Sequence, residues 1–403
     1  MSTATLTARE AAPVLSDPAL FGVYVHVPFC LSRCHYCDFV TYTGMEGLRR
    51  PYAAALLTEA ELAVAEFASV EAELPTVTSA FVGGGTPTLL PATDLARVLA
   101  RLRELLPFAP DAEVTVEANP ETITPEVVAG LAAAGVNRVS MGAQSFDDRV
   151  LEALGRTHDA HLVGEAVTAL RAAGAGAGAP FSLNLDLIFG CPEEDEASWA
   201  RTLDAAVALD PDHLSAYALT IEPATKFGRQ VAAGRMAEPD EDLLADRYAT
   251  TCEVLKAASY QHYEVSNWAL PGQASRHNRT YWRRGHYLGL GAGAHEFTGE
   301  TRRWNTASVP DYLAAVHAGR RPGAGEEALD AGQARFEALA LRLRTADGLS
   351  PADARALGAD PAGAEAATLR TAGLLAHDDG DQWLRLTERG MFLHGEVVSR
   401  LAP

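Results

Sequence analysis

FGVYVHVPFCLSRCHYCDF, residues 21–39, decides the reading of this chain. A β-rich run, Val23–Val27, leads through Pro28 into three cysteines, Cys30, Cys34 and Cys37, spaced C-x₃-C-x₂-C. On a helix these positions would share one face, but the strand and the proline favour a loop. Thiolates are soft ligands for zinc, an iron–sulfur cluster or copper. Structural zinc wants a fourth Cys or His. His26 and His35 are near, yet the next cysteine is Cys191 and no second CxxC follows. Three thiolates suit a [4Fe–4S] cluster with one iron open to another ligand. Zinc and free thiols are the alternatives. Cys191 and Cys252 stand alone and read as small core hydrophobes.

Outward from this loop, short apolar strands alternate with Ala/Leu-rich helices. The strands expected are Val23–Val27, Ala80–Val82, Val114–Glu117, Arg138–Met141, Leu183–Ile188 and Leu214–Leu219. Helical patterns lie at 52–67, 94–106, 125–134, 161–173, 196–209 and 241–258. Six such units predict an α/β fold, a partial open (β/α)6 TIM-like barrel. The tract Gly174–Pro180 reads as a flexible loop, Tyr260–Trp304 as irregular and aromatic-rich, and GRRPGAG at 319–325 as a linker. Three short helical patterns, an Asp378–Asp381 turn and a last helix, Glu388–Leu401, follow. They predict a small winged-helix-like α+β domain. The division expected is a disordered segment over 1–20, a barrel over 21–240, an extension over 241–325 and a C-terminal domain over 326–403.

The 403 residues are 48% hydrophobic and 21% charged, ordinary for a globular chain. Acids outnumber bases 53 to 33, for a formal net charge of −20. Such a surface disfavours nucleic acid as a partner. No signal peptide or spanning segment is legible, and the expected location is the cytoplasm.

Gly83-Gly84-Gly85-Thr86 follows the strand SAFV and serves either a tight turn or the close approach of a ligand. Glu117 ends the next strand, where it can meet a ligand cation or a ribose hydroxyl. Gln144 ends another, Arg156 lies in LEALGRTH, and Asp186 sits in an apolar strand. A buried acid there needs a partner, and an Asp186–Arg156 salt bridge is the structural alternative to a ligand site.

The cysteine spacing and glycine triplet resemble the radical S-adenosylmethionine (SAM) superfamily. In it, SAM chelates the open iron, and a reduced cluster cleaves SAM to a radical. PFCLSRCHYCDF, FVGGGTPTLL, VEANPETI, RVSMGAQSF, NLDLIFGCP and HLSAYALTIEP narrow the resemblance to the HemN/HemW branch. That branch holds oxygen-independent coproporphyrinogen III dehydrogenases and haem chaperones. The resemblance implies a radical SAM barrel with the cluster on Cys30, Cys34 and Cys37. It implies a first SAM against Tyr24, Gly84 and Glu117. A second SAM site would involve Tyr36, Gly85, Thr86, Gln144, Arg156, Asp186 and Ala218.

Two departures separate the relatives. The dehydrogenase pattern carries another cysteine two positions past the third ligand, where this chain has Phe39, and it carries a longer N-terminal arm. RHNRTYW, residues 276–282, resembles the H-N-x-x-Y-W signature of the chaperone branch. Around it, Arg276, Arg279, Arg283 and Arg284 interleave with aromatic residues. That pattern suits single-stranded nucleic acid, which the net charge disfavours, or a planar dicarboxylate. The expected cofactors are therefore the cluster, SAM and haem, with His277, Asn278, Tyr281 and Trp282 at the haem. The expected partners are haem or a porphyrin, recipient haem proteins including membrane respiratory enzymes, and a second copy in a homodimer. Whether the chain is an enzyme or a carrier turns on these features, and they favour a haem chaperone.

Overall fold

A computed structural model describes residues 15–17, 19–70, 73–176, 181–377 and 382–402. Twelve strands form one sheet: β1 (Phe21–Val27), β2 (Val77–Gly84), β3 (Phe108–Ala118), β4 (Arg138–Gln144), β5 (Ser182–Phe189), β6 (His213–Ala218), β7 (Gln261–Glu264), β8 (Asn267–Ala269), β9 (His286–Leu290), β10 (His295–Thr298), β11 (Thr301–Asn305) and β12 (Gly323–Ala328). Their order is β12-β11-β10-β9-β1-β2-β3-β4-β5-β6-β8-β7. Strands β1 to β6 run parallel, each beside the next, and the expected six units form an open barrel.

Register explains why these runs became strands. Val25, Val82, Val116, Val139 and Leu183 fall in one row across five strands, all buried. That row packs the helix side, as parallel strands covered on both faces require. The neighbouring row, Tyr24, Phe81, Thr115, Arg138 and Ser182, faces the barrel interior and is mixed in polarity.

The later segments depart from expectation. Tyr260–Trp304 is ordered as β7 to β11 and the helix Arg276–Trp282. Strand β9 returns to pair parallel with β1, and β10 to β12 extend the sheet antiparallel from it. The GRRPGAG segment runs into β12 at Gly323, so its end is sheet edge, not linker. The helix Ala160–Gly176 continues into the glycine–alanine tract, whose residues 177–180 lie outside the described residues. Two helices, Asp148–Leu154 and Lys226–Ala232, were not legible as patterns.

Past residue 330 come the helices Ala331–Leu343, Pro351–Ala356 and Ala364–Thr371. The last helix is split into Glu388–Phe392 and His394–Leu401 at Leu393, whose φ and ψ of −97° and 28° leave the helical range. The Asp378–Asp381 turn lies outside the described residues, as does most of the 1–20 segment. Of that segment, Asp17 is held at Arg283 by a backbone bond of 3.2 Å and an ion pair. No helix among the described residues is long and apolar enough to cross a membrane.

Candidate functional site

The cysteine loop closes on itself after β1. Cys30 N–H donates to the Tyr42 carbonyl at 2.9 Å, and Tyr42 N–H to that of Pro28 at 2.7 Å. Gly85 and Thr86 N–H groups donate to the Val27 and Phe29 carbonyls, stitching the end of β2 to the loop. The glycine triplet answers first to the protein's own packing. Gly84 has φ +108°, and a Cβ there would stand 2.3 Å from the His26 ring. A Cβ on Gly85 would stand 2.7 Å from the Phe29 carbonyl.

The three cysteines are partly buried free thiols. Burial pushes the Cys30 thiol up to about 11, against a hydrogen bond from Thr86, and raises Cys37 as well. Thr86 Oγ1 lies 3.8 Å from Cys30 Sγ, and Arg156 Nη1 donates to Cys34 Sγ at 3.3 Å. Among the described residues, no three His, Cys, Asp or Glu side chains gather as a single-ion site. A four-iron cube binds each thiolate to a different iron, so its donors need no such convergence. Three soft thiol donors fit that group.

The thiols open into a cleft of about 450 Å³ at the C-terminal ends of the parallel strands. Tyr36, Gly84, Gly85, Thr86, Glu117, Gln144, Arg156, Asp186 and Ala218 all line it. Tyr24 does not. Its hydroxyl meets His26 Nδ1 at 2.9 Å and its ring stacks on Phe81, one layer below the cleft.

Glu117 accepts the Gly84 N–H at 2.8 Å. Burial, then the charge of Asp186, pushes its carboxyl up to about 7. Asp186 is not paired with Arg156. It accepts Ser140 Oγ and Asn184 Nδ2, each at 2.9 Å, in a polar network that continues to His213 and Tyr263. Burial raises its carboxyl too, against those bonds. Gln144 holds φ +65° beside a bulge in β4, a left-handed backbone that costs a non-glycine residue about 1 kcal/mol or more.

The residues expected at haem are elsewhere, under the barrel floor. His277 is 1% exposed. Its Nδ1 meets Ser79 Oγ at 2.9 Å, its Nε2 meets the Tyr281 hydroxyl at 2.8 Å, and its ring stacks on Phe81. Neither nitrogen is left for an iron. Asn278 sits half-buried in the first turn of that helix, and Trp282 lies under the Arg344 guanidinium. The arginine island is largely neutralised. Arg276 pairs with Asp111, Arg283 with Asp17 and Asp347, and Arg284 with Glu300 and Glu337. Arg279 lies over the Tyr263 ring.

Sequence reasoning missed Asn119, whose side chain bridges Arg156 and Thr86. Its place in VEANP, two past Glu117, was the available signal. It also missed Leu31 and Tyr217, and marked Phe39 only as the place of an absent cysteine; exposed by 51%, 40% and 67%, these three line the same cleft.

Residues 24–206 match the Radical SAM superfamily. The chain is 43% identical over 392 residues to the heme chaperone HemW of Mycobacterium tuberculosis, covering 97% of this chain and 96% of that protein. It is 40% identical to Escherichia coli HemW over 68% of this chain and 69% of that one. Coproporphyrinogen III oxidase (HemN) of E. coli, a radical SAM enzyme, superposes with a TM-score of 0.78 at 25% identity, over 95% of this chain and 90% of that one. With the likeness running nearly end to end through both the cysteine loop and the barrel floor, this chain belongs to the HemW family of radical SAM proteins.

Proposed function

We propose that this chain is a haem chaperone of the radical SAM family, which binds haem and delivers it to haem proteins in the cytoplasm. The observation that carries this is the 43% identity to a HemW chaperone across 97% of the chain. Cys30, Cys34 and Cys37 would hold a [4Fe–4S] cluster, and SAM would occupy the open iron. When bound, such a cluster supplies single electrons to a sulfonium.

The chain's own residues support this placement. Backbone of Gly84 and Gly85 borders the cleft without side chains, and Glu117 presents a carboxyl that a bound cation would ionise. Gln144, Asp186 and Ala218, which line the same cleft, would border a second ligand. Haem would contact the exposed Leu31, Phe39 and Tyr217 at the mouth, an apolar rim suited to a planar macrocycle. Phe39 stands where the dehydrogenase resemblance carries a further cysteine. His277 would brace the floor and not ligate iron.

Anaerobically reconstituted protein should hold about four irons with matching sulfide, and Cys34→Ser should lose them. Wild type should bind haem with a Soret band, and Phe39→Ser should weaken that binding several-fold. It should form no protoporphyrinogen from coproporphyrinogen III with SAM and a reductant. Steady turnover of that porphyrinogen would promote the dehydrogenase reading that the HemN likeness also supports.

A further inference from the structure

The segment LEALGRTH, residues 151–158, does two things to the cysteine loop at once. Its helix, Asp148–Leu154, ends at Gly155, whose φ of 77° turns the chain sharply under the loop. There the Leu154 carbonyl accepts the His35 N–H at 2.9 Å, and the Ala153 carbonyl meets His35 Nδ1 at 2.8 Å. A Cβ on Gly155 would stand 2.8 Å from the His35 ring, so the contact admits only glycine. From the opposite side Lys226 Nζ reaches His35 Nε2 at 2.7 Å, and the Phe227 N–H donates to the His35 carbonyl at 3.0 Å. The middle of the loop, between the second and third cysteines, is thus gripped from two helices.

The next residue, Arg156, is fixed by the same turn. Its Nη2 donates to Asn119 Oδ1 at 2.6 Å and to the Gly142 carbonyl at 3.0 Å. Among the described residues no carboxylate lies within ion-pair distance of it, and Glu121 acts on it from further off. Its Nη1 is aimed at Cys34 Sγ at 3.3 Å, a charge-assisted bond to a ligand sulfur. Neutral anchors hold Nη2, so the guanidinium meets the Cys34 sulfur directly while Glu121 tempers its charge from further off. A hydrogen bond and a positive charge at a cluster sulfur both favour the reduced, more negative cluster.

We infer that Arg156 is a positioning residue that raises the reduction potential of a cluster held on Cys34, with Asn119 aiming its guanidinium. This rests on the cluster reading above. It differs from the second-SAM role that the resemblance implies for Arg156, because it needs no SAM at all.

The test is a potentiometric titration of reconstituted full-length protein without SAM, followed by electron paramagnetic resonance of the reduced cluster. Arg156→Met should move the midpoint potential to more negative values. Arg156→Lys, which keeps charge but loses the fork, should move it less. Asn119→Ala should move it in the same direction by a smaller amount. Should the Arg156 variants not load iron, wild type carrying ¹⁵N-labelled arginine decides. Pulsed spectroscopy of its reduced cluster should then show a coupled arginine nitrogen. Unshifted potentials in loaded variants, or no such coupling in wild type, would overturn the inference while leaving the cluster intact. A wild-type chain that takes up no iron and sulfide overturns both readings, and is recognised before any potential is measured.

Discussion

Glu117 shows how one carboxyl records the chemistry of its surroundings. Its folded value of about 7 compares with an ordinary value of 4.5, burial being the main cause and Asp186 the second. Between those pH values the folded chain binds a proton that the unfolded chain has released. Linkage therefore makes the ligand-free protein less stable as pH rises from about 4.5 to 7, with the full loss present above 7. Glu117→Gln keeps an oxygen for the Gly84 N–H and removes the charge. The variant should be more stable than wild type at pH 8, by the order of 1–3 kcal/mol, with a shallower decline across that window. Thermal melts of the ligand-free proteins at several pH values check this, and parallel slopes would refute it. The glycines carry a related lesson. Substitution at Gly84 drives a side chain into His26, so such a variant reports on the turn before it reports on any ligand.

At the scale of elements, the helix Arg276–Trp282 was legible as a motif but not as a plug. Its N-terminus is held by Glu113, which accepts the N–H groups of Arg276 and His277 at 3.1 Å each. No spacing within RHNRTYW announces that it packs on β1 and β2, because its partners Ser79, Phe81 and Glu113 lie about 160–200 residues earlier. For the same reason the arginines read as an open cationic patch until their carboxylates came into view. Burial holds the His277 imidazole down to about 3, so it folds neutral. His277→Ala leaves two buried hydroxyls unpartnered and a gap against Phe81. It should cost about 3 kcal/mol of stability and leave the haem affinity of the folded protein unchanged. Chemical denaturation paired with a haem titration checks both halves; a lost Soret band in folded variant would restore the imidazole as a ligand.

On the scale of the molecule, the six parallel strands were legible because each is a short apolar run between turn signals. The strands from β7 onward were not. TRRWN and GAGEEA carry no apolar alternation, and β9 finds its place only by returning to β1. The cysteines were legible from their spacing, and the nine cleft residues were named as a set by the family resemblance, which the shared cleft at the strand ends matches. The mates of Arg156 and His277 depend on tertiary placement, which no local pattern encodes. The same long-range closure makes a barrel over 21–240 incomplete by itself. Buried Glu59 accepts bonds from Gly291 N–H, Asn305 Nδ2 and Tyr312 OH, all beyond residue 240. A chain ending at 240 would leave that carboxylate without donors and bare one edge of β1. Such a truncation should not yield a cooperatively melting monomer; a sharp melt with native-like circular dichroism would show the opposite.

The doubly gripped cysteine loop bears on the order in which the protein is made. The loop's frame is main-chain hydrogen bonding: Cys30 N–H donates to the Tyr42 carbonyl, His35 N–H to that of Leu154 and Phe227 N–H to that of His35. Two of the grips come from far along the chain, 118 residues on for Ala153 and 191 for Lys226. The cysteines leave the ribosome early, but the frame that spaces them is complete only once residue 227 has emerged.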